Sequence, residues 1–362
     1  MRSQSLETGH QEMRGLAEFG CTTSDTDVND LFSWYETAGF LYPQKYRLLK
    51  PHIDTILKNW QRALNSSSEL MFLVRRRNGN SGGSSVASFR SNLQNWNTQH
   101  LVSTNDPFGS IAVMLATCAE RALNHTDSSH QFWYRPENRF PNRVFGNMIQ
   151  HVGSDASSID EYAYCTLRVH ESNDHVQARN LYSVEKVSDF AGAEYIRKLR
   201  GPVFSLAEGF QEQDITLDRT DHLYREAGLK RQRFVYTVFR NRDSAPVGYC
   251  AAYRGPLGLN LSFLENRSDI SVDPSLDADQ VESIVTACIQ QLRACYHDYE
   301  ATWIPVLLRP SDMKITERCG LARLRTYRQG IWIRDGYARM YEHIQNCFAH
   351  AVERRRSLET EP

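Results

Sequence analysis

The sequence predicts a mixed α/β fold drawn twice, and three observations carry that prediction. Residues 71–91 (MFLVRRRNGNSGGSSVASFRS) fall without a gap on 235–255 (VYTVFRNRDSAPVGYCAAYRG) when the chain is slid along itself. Each window is a β-type run, a polar turn holding Gly or Pro, and a second run ending in Phe89-Arg90 or Tyr253-Arg254, the pattern of a hairpin. At a slightly larger shift, 111–123 (IAVMLATCAERAL) falls on 285–297 (VTACIQQLRACYH). Ile111, Met114, Leu115 and Cys118 then answer Val285, Cys288, Ile289 and Leu292, one helix face in both copies. A short apolar strand follows each helix, Phe132-Trp133-Tyr134 and Val306-Leu307-Leu308.

Taken in order, residues 1–28 are polar and without a sustained period, which predicts a mobile tail. A helix should follow, then a short strand at Phe40 in GFLYP, matched by Phe204 in GPVFSL. The hairpin, a further strand, the apolar-faced helix and its strand come next. Arg135-Pro136 and Arg309-Pro310 then lead into short helices ending at Gly146 and Gly320, and a last strand closes each copy. The central helix must cover one face of the sheet, because parallel neighbours need a crossover. Copy one spans 29–187 and copy two 188–350, with a frayed tail over 351–362. Tyr337, Met340, Tyr341, Ile344, Phe348 and Ala351 have helical spacing, and this helix is expected to pack on copy two. The stretch Glu171-Ser172-Asn173-Asp174-His175 is expected to join two strands.

Composition removes several classes of function. Of 362 residues 41% are apolar and 23% charged, ordinary globular values. Forty-two basic against 43 acidic residues give net −1, so no overall field draws in nucleic acid or anionic lipid, and neither partner is expected. Apolar runs are too short to cross a bilayer, and the start, MRSQSLETGHQEMRG, has no apolar core of a secretion signal. Eight cysteines without CxxC pairs, several in apolar periodic stretches, read as reduced thiols of a cytoplasmic protein.

The order of elements resembles the GNAT superfamily of N-acyltransferases in a tandem arrangement, over most of the chain by topology and weakly by motif. In that family the fourth strand ends in an apolar-x-Val-x-Pro stretch, and a Gly-rich turn into a helix cradles the coenzyme A diphosphate. Ile270-Ser271-Val272-Asp273-Pro274 is similar to that strand end, so the resemblance implies donor contacts at Ile270 and Val272. The turn that follows, Ser275 to Gln280, departs from the pattern: it has no glycine or basic residue, and Asp277 and Asp279 suit helix capping. Copy one offers Thr104-Asn105-Asp106-Pro107-Phe108-Gly109-Ser110, whose Gly109 and Ser110 form the better cradle. The family also keeps an Asn, a Tyr seven residues on and a Gly four beyond it. Counting back from Gly320 these positions hold Arg309 and Thr316, and from Gly146 they hold Arg135 and Asn142, so neither copy has the tyrosine. Arg309 and Arg135 are candidate phosphate contacts, or partners of nearby carboxylates.

Acyl transfer to an amine needs a base. Glu265, in SFLENRSDISV before the coenzyme-side strand, is the first candidate and Asp269 the second, the alternative being an exposed hairpin carboxylate. Cys250 in GYCAAYRG reads as a buried thiol, Arg75-Arg76-Arg77 as a solvated hairpin tip without a following helix, and Phe132-Trp133-Tyr134 as core or domain interface. His125 with His130, and His170 with His175, lack the spacing and partners of a metal site, so no metal is expected. The resemblance implies an acyltransferase using acetyl-coenzyme A (acetyl-CoA) or another acyl-CoA, with a small-molecule or peptide amine as acceptor. A non-catalytic GNAT-like module that binds a ligand or partner is the alternative. A Fem-type aminoacyl transferase is a third, disfavoured by neutral charge. Acceptor, acyl length and oligomeric state have no signature in the sequence.

Overall fold

Asp27 sets the first helix. Its Oδ1 accepts the Asn29 and Asp30 amides at 2.7 and 3.1 Å, capping α1 (Val28–Thr37), which buries Val28, Leu31, Phe32 and Tyr35. The strand expected at Phe40 is absent. Gly39, at φ +72°, ends α1, Tyr42 is extended, and Pro43 opens α2 (Pro43–Leu49), where its fixed φ suits a first helical turn. A computed structural model describes residues 15–23, 26–66, 69–79, 82–93, 95–124, 129–170, 181–186, 219–309 and 318–360. Phe204, His125, Thr316, the 171–175 stretch and the expected 187/188 boundary lie outside them.

The chain forms two compact units, one of residues 1–51, 63–159 and 329–362, the other of 52–62 and 160–328. Unit 1 orders its described strands β1 (Cys21–Thr22), β2 (Met71–Asn78), β3 (Gly82–Asn92), β4 (Asn95–Thr104) and β5 (Ser129–Tyr134), followed by the end of β12 (Ala322–Trp332). Unit 2 orders β7 (Tyr182–Lys186), β8 (Gln232–Arg240), β9 (Ala245–Arg254), β10 (Ser268–Val272) and β11 (Trp303–Leu308), followed by most of β6 (Ser157–Arg168). Both expected hairpins are present: β2 pairs β3 antiparallel through Met71↔Phe89, and β8 pairs β9 through Val235↔Ala251. In each unit a third antiparallel strand leads through a long helix to a parallel neighbour, β4 to β5 and β10 to β11. This is the order of elements expected from the sequence, present in both units, with one difference from the reading above. The last strand of each unit comes from the other half of the chain, because the backbone leaves unit 1 within β6 and returns within β12.

The crossover helices are α4 (Gly109–Asn124) in unit 1 and α8 (Ala278–Tyr296) in unit 2. Their matched faces, from Ile111 to Cys118 and Val285 to Leu292, are buried as the spacing predicts. The final helix α9 (Tyr337–Thr360; four further described helices, α3 Ile53–Leu64, α5 Arg139–Phe145, α6 Met148–Val152 and α7 Arg219–Glu226, precede it) does not pack on copy two. Its Met340, Tyr341 and Ile344 join Met114, Leu115 and Cys118 in the unit 1 core, because β12 ends there and hands the chain over. Part of the stretch expected to be a mobile tail is structured. Leu16–Phe19 is a 3-10 turn, and Cys21 and Thr22 pair with Arg76 and Arg75 of β2, the backbone ladder holding a strand too short to show a period.

One buried charge in unit 1 has a measurable consequence. Arg121 of α4 is 1% exposed, its guanidinium carbon 3.4 Å from the Phe72 ring centre and 4.0 Å from that of Trp96. Its Nε and Nη1 have no hydrogen-bond partner among the described residues, and burial pushes its pKa down to about 9. Two cation–π contacts of ~1–2 kcal/mol each offset only part of that desolvation. Arg121→Met is therefore expected to raise the thermal midpoint, by roughly 1–4 kcal/mol of stability. A lowered midpoint in calorimetry would mean that the guanidinium has an anionic partner.

Candidate active site in unit 2

The alternation of a β-strand sorts β10 into two faces. Ile270 and Val272 point to the α8 side and sit in its apolar core, so their side chains are structural and only their backbone is left for a donor. Asp269 and Ser271 alternate to the opposite face. Asp269 is 8% exposed, and Glu265, on the 3-10 turn Leu264–Asn266 before the strand, is 6% exposed. The exposed-carboxylate alternative is thereby excluded for both.

Arg267 joins them. It is itself buried, its Nε donates to Asp269 Oδ1 at 3.1 Å, and its Nη1 donates to the Leu264 carbonyl at 2.9 Å. Burial works against its charge, but Asp269, Tyr253 and Glu265 more than offset that, and its pKa lies above the ordinary arginine value. Tyr253 of β9 lies under it, with the guanidinium carbon 4.5 Å from the ring centre, and Arg233 stands 5.9 Å from the same ring. Burial first, then Asp269, raises the Tyr253 phenol, so it stays protonated and keeps a proton to donate at neutral pH. A carboxylate, a phenol and a bridging guanidinium are thus gathered where β10 leaves β11. The parallel ladder holds only through Ser268↔Val306 and Asp269↔Leu307.

The anion-binding positions read from the sequence are differently placed. The α8 N-terminus is closed by a capping box: Asp277 Oδ1 accepts the Gln280 amide at 2.9 Å, and Gln280 Oε1 accepts the Asp277 amide at 3.1 Å. Asp273 Oδ1 accepts both the amide and the hydroxyl of Ser275. In unit 1, Asp106 accepts from Arg76 at 2.9 Å and from Ser84 at 3.1 Å, and it fills the space beside Gly109. A Cβ on Gly109 would lie 1.8 Å from Ser84 Oγ and 2.1 Å from Asp106 Oδ2, so this glycine is required by the chain's own packing; Ser110 follows it, half-buried. Arg135 donates to Asn138 at 3.3 Å and pairs with Glu137 at 3.8 Å, the carboxylate-partner alternative. Arg309 is half-buried just beyond β11.

Arg75, Arg76 and Arg77 lie on β2 rather than at the hairpin tip. Phe132 and Tyr134 are core, as expected, and so is Cys250. No group of three His, Cys, Asp or Glu among the described residues can hold a metal ion. Sequence reading missed Arg267 and Tyr253. The i, i+2 spacing of Arg267 and Asp269, at the start of β10, was the available signal.

No protein-family model and no curated protein sequence matches the chain. Among solved structures it is similar to a tandem GNAT protein from the clavulanic acid biosynthesis pathway, at 11% identity over 87% of this chain and 98% of that one, with a TM-score of 0.43. It is also similar to a GCN5-related N-acetyltransferase from Sphaerobacter thermophilus, at 11% identity, 78% and 85% coverage and a TM-score of 0.41. A third is N-myristoyltransferase of Saccharomyces cerevisiae with bound myristoyl-CoA, at 8% identity, 86% and 78% coverage and a TM-score of 0.37.

Proposed function

We propose that the protein is an N-acyltransferase that uses an acyl-CoA donor and a small-molecule or peptide amine, with its chemistry in unit 2. The observation that supports this reading is the burial of Glu265 and Asp269 about one guanidinium, Arg267, beside the point where β10 and β11 part. Asp269 is committed to Arg267 and acts as its anchor. Glu265 is the proton acceptor: it takes the proton of the attacking amine as nitrogen bonds to the thioester carbon, and the C–S bond then breaks to release the coenzyme thiolate. Tyr253, held protonated by burial, supplies the proton for that thiolate. The capping box takes the Gln280 amide and sets the Asp277 carboxylate at the start of α8, so the donor's phosphates rest on Arg309 instead.

A second reading has its own observation. Asp273 and Asp277 put carboxylates at the turn where a diphosphate would lie, which favours a non-catalytic module that binds some other ligand. Release of free coenzyme thiol from acetyl- and longer acyl-CoA, with a panel of primary amines, separates the two. Amine-dependent release is the expected result. In parallel, an acyl-CoA at 100 times its dissociation constant should add about 2.7 kcal/mol of stability. Stabilisation without thiol release would assign the binding module, and neither effect would remove both readings.

A further inference from the structure

Unit 1 carries a second cluster that acyl transfer does not use. Beside β4, the rings of Trp34, Tyr35, Phe40 and His100 meet edge and face: Trp34 to Tyr35 at 5.6 Å, Tyr35 to Phe40 at 5.3 Å, Phe40 to His100 at 5.7 Å. Two cations stand over them, Lys45 Nζ at 3.8 Å from the Phe40 ring centre and the Arg75 guanidinium at 6.0 Å from that of Trp34. His100 makes the shape. It sits at φ +55°, a left-handed conformation uncommon for a residue with a side chain, where the β3–β4 register slips between Ser85 and Ala87. Such strain at a bulge re-aims a side chain and persists only where the surroundings enforce it. Burial, and then Lys45, hold the imidazole well below its usual pKa, so it adds a neutral ring and no charge at pH 7.

Arg75 donates to the Thr26 hydroxyl at 3.2 Å but forms no ion pair among the described residues, and Asp30 acts on it only through space. Trp34, Phe40, Lys45 and Arg75 are each half-buried, so rings and cations both reach the surface. Flat apolar walls with a guanidinium at one rim match one ligand chemistry.

We propose that this cluster binds a planar aromatic anion, an aryl ring bearing a carboxylate or a phosphate, with the ring against Trp34 and Phe40 and the anion on Arg75. The site stands whether or not unit 2 transfers an acyl group. Isothermal titration of the full chain with 2-naphthoate and with adenosine monophosphate tests it and separates the carboxylate from the phosphate source. At least one should bind, and the uncharged partners 2-naphthol and adenosine, and the aliphatic anion hexanoate, should each bind roughly tenfold more weakly or worse. Arg75→Gln and Phe40→Leu should each weaken binding by roughly tenfold at unchanged melting temperature. If Arg75→Gln disturbs the fold, Arg75→Lys replaces it, keeping charge but losing the fork, and an intermediate loss is expected. Absence of binding by both anions, hexanoate binding as tightly as 2-naphthoate, or wild-type affinity in the Arg75 and Phe40 variants would overturn the proposal.

Discussion

Glu265→Gln is expected to lower acyl transfer by roughly 10²–10⁴-fold while leaving donor affinity nearly unchanged, because the amide keeps the shape of the side chain and loses only its basicity. The contrast with its neighbour makes the result interpretable. Asp269 holds the Arg267 guanidinium at 3.1 Å, and Arg267 is 3% exposed. Asp269→Asn removes the negative charge that keeps a buried cation in place, so it should cost stability, about 3–5 kcal/mol for a broken buried pair. Rate loss without stability loss at Glu265, and stability loss at Asp269, would separate proton transfer from scaffolding. Steady-state thiol release and calorimetric melting measure the two. Equal turnover in wild type and Glu265→Gln would place the base elsewhere.

Gly258→Ala should be among the most damaging single methyl additions to unit 2. Gly258 has φ +71°, and a Cβ built there meets Ile56 of α3 at 2.3, 2.7 and 2.9 Å. Left-handed backbone costs ~1–2 kcal/mol for a residue with a side chain, and overpacking adds ~1–3 kcal/mol. The Gly258 carbonyl also accepts the buried Trp60 indole at 2.9 Å, and the Leu257 carbonyl accepts from Asn59 at 3.0 Å, so a shift of the backbone endangers both bonds. A total of about 2–5 kcal/mol follows. Ile56→Ala in the same chain should return the overpacking part and leave the backbone part, a double-mutant cycle read by denaturant unfolding. Additive losses would show that Ile56 is not what the new methyl meets.

Much of the fold was legible because it is written in local periods. The hairpins over 71–91 and 235–255 alternate around polar turns, and the α4 and α8 faces repeat at helical spacing; both patterns survive in the structure. Partner choice is not a local property. β6 and β12 have the alternation of a strand whichever neighbour they join, so their exchange between units left no periodic trace, and α9 was misassigned with β12. Register was equally silent. Val235 pairs with Ala251, whereas the gap-free match to Met71↔Phe89 would have set it opposite Tyr253. At Phe40 an apolar run read as a strand became a helix-to-helix turn, because Gly39 and Pro43 acted as stop and start signals.

The candidate site was legible in its residues and not in its wiring. Glu265 and Asp269 were named from the family resemblance, but Arg267, which pairs with Asp269, carries no motif. His100 was invisible for another reason: a positive φ on a residue other than glycine is imposed by the surrounding sheet and leaves no mark in sequence. The aspartates at the α8 start were read as caps from residue type alone; Asp277 is the cap, and Asp279 lies in the first turn.

Binding of acetyl-CoA to wild type, Arg309→Ala and Arg135→Ala by titration calorimetry tests the placement of donor and chemistry in unit 2 most directly. Arg135 already pairs with Glu137 in unit 1, so its loss should leave affinity within about twofold. Loss of Arg309 should weaken binding by about 1.5–3 kcal/mol, roughly ten- to a hundredfold. The opposite pattern, with Arg135→Ala weakened and Arg309→Ala unchanged, would move the donor to unit 1 and contradict the account.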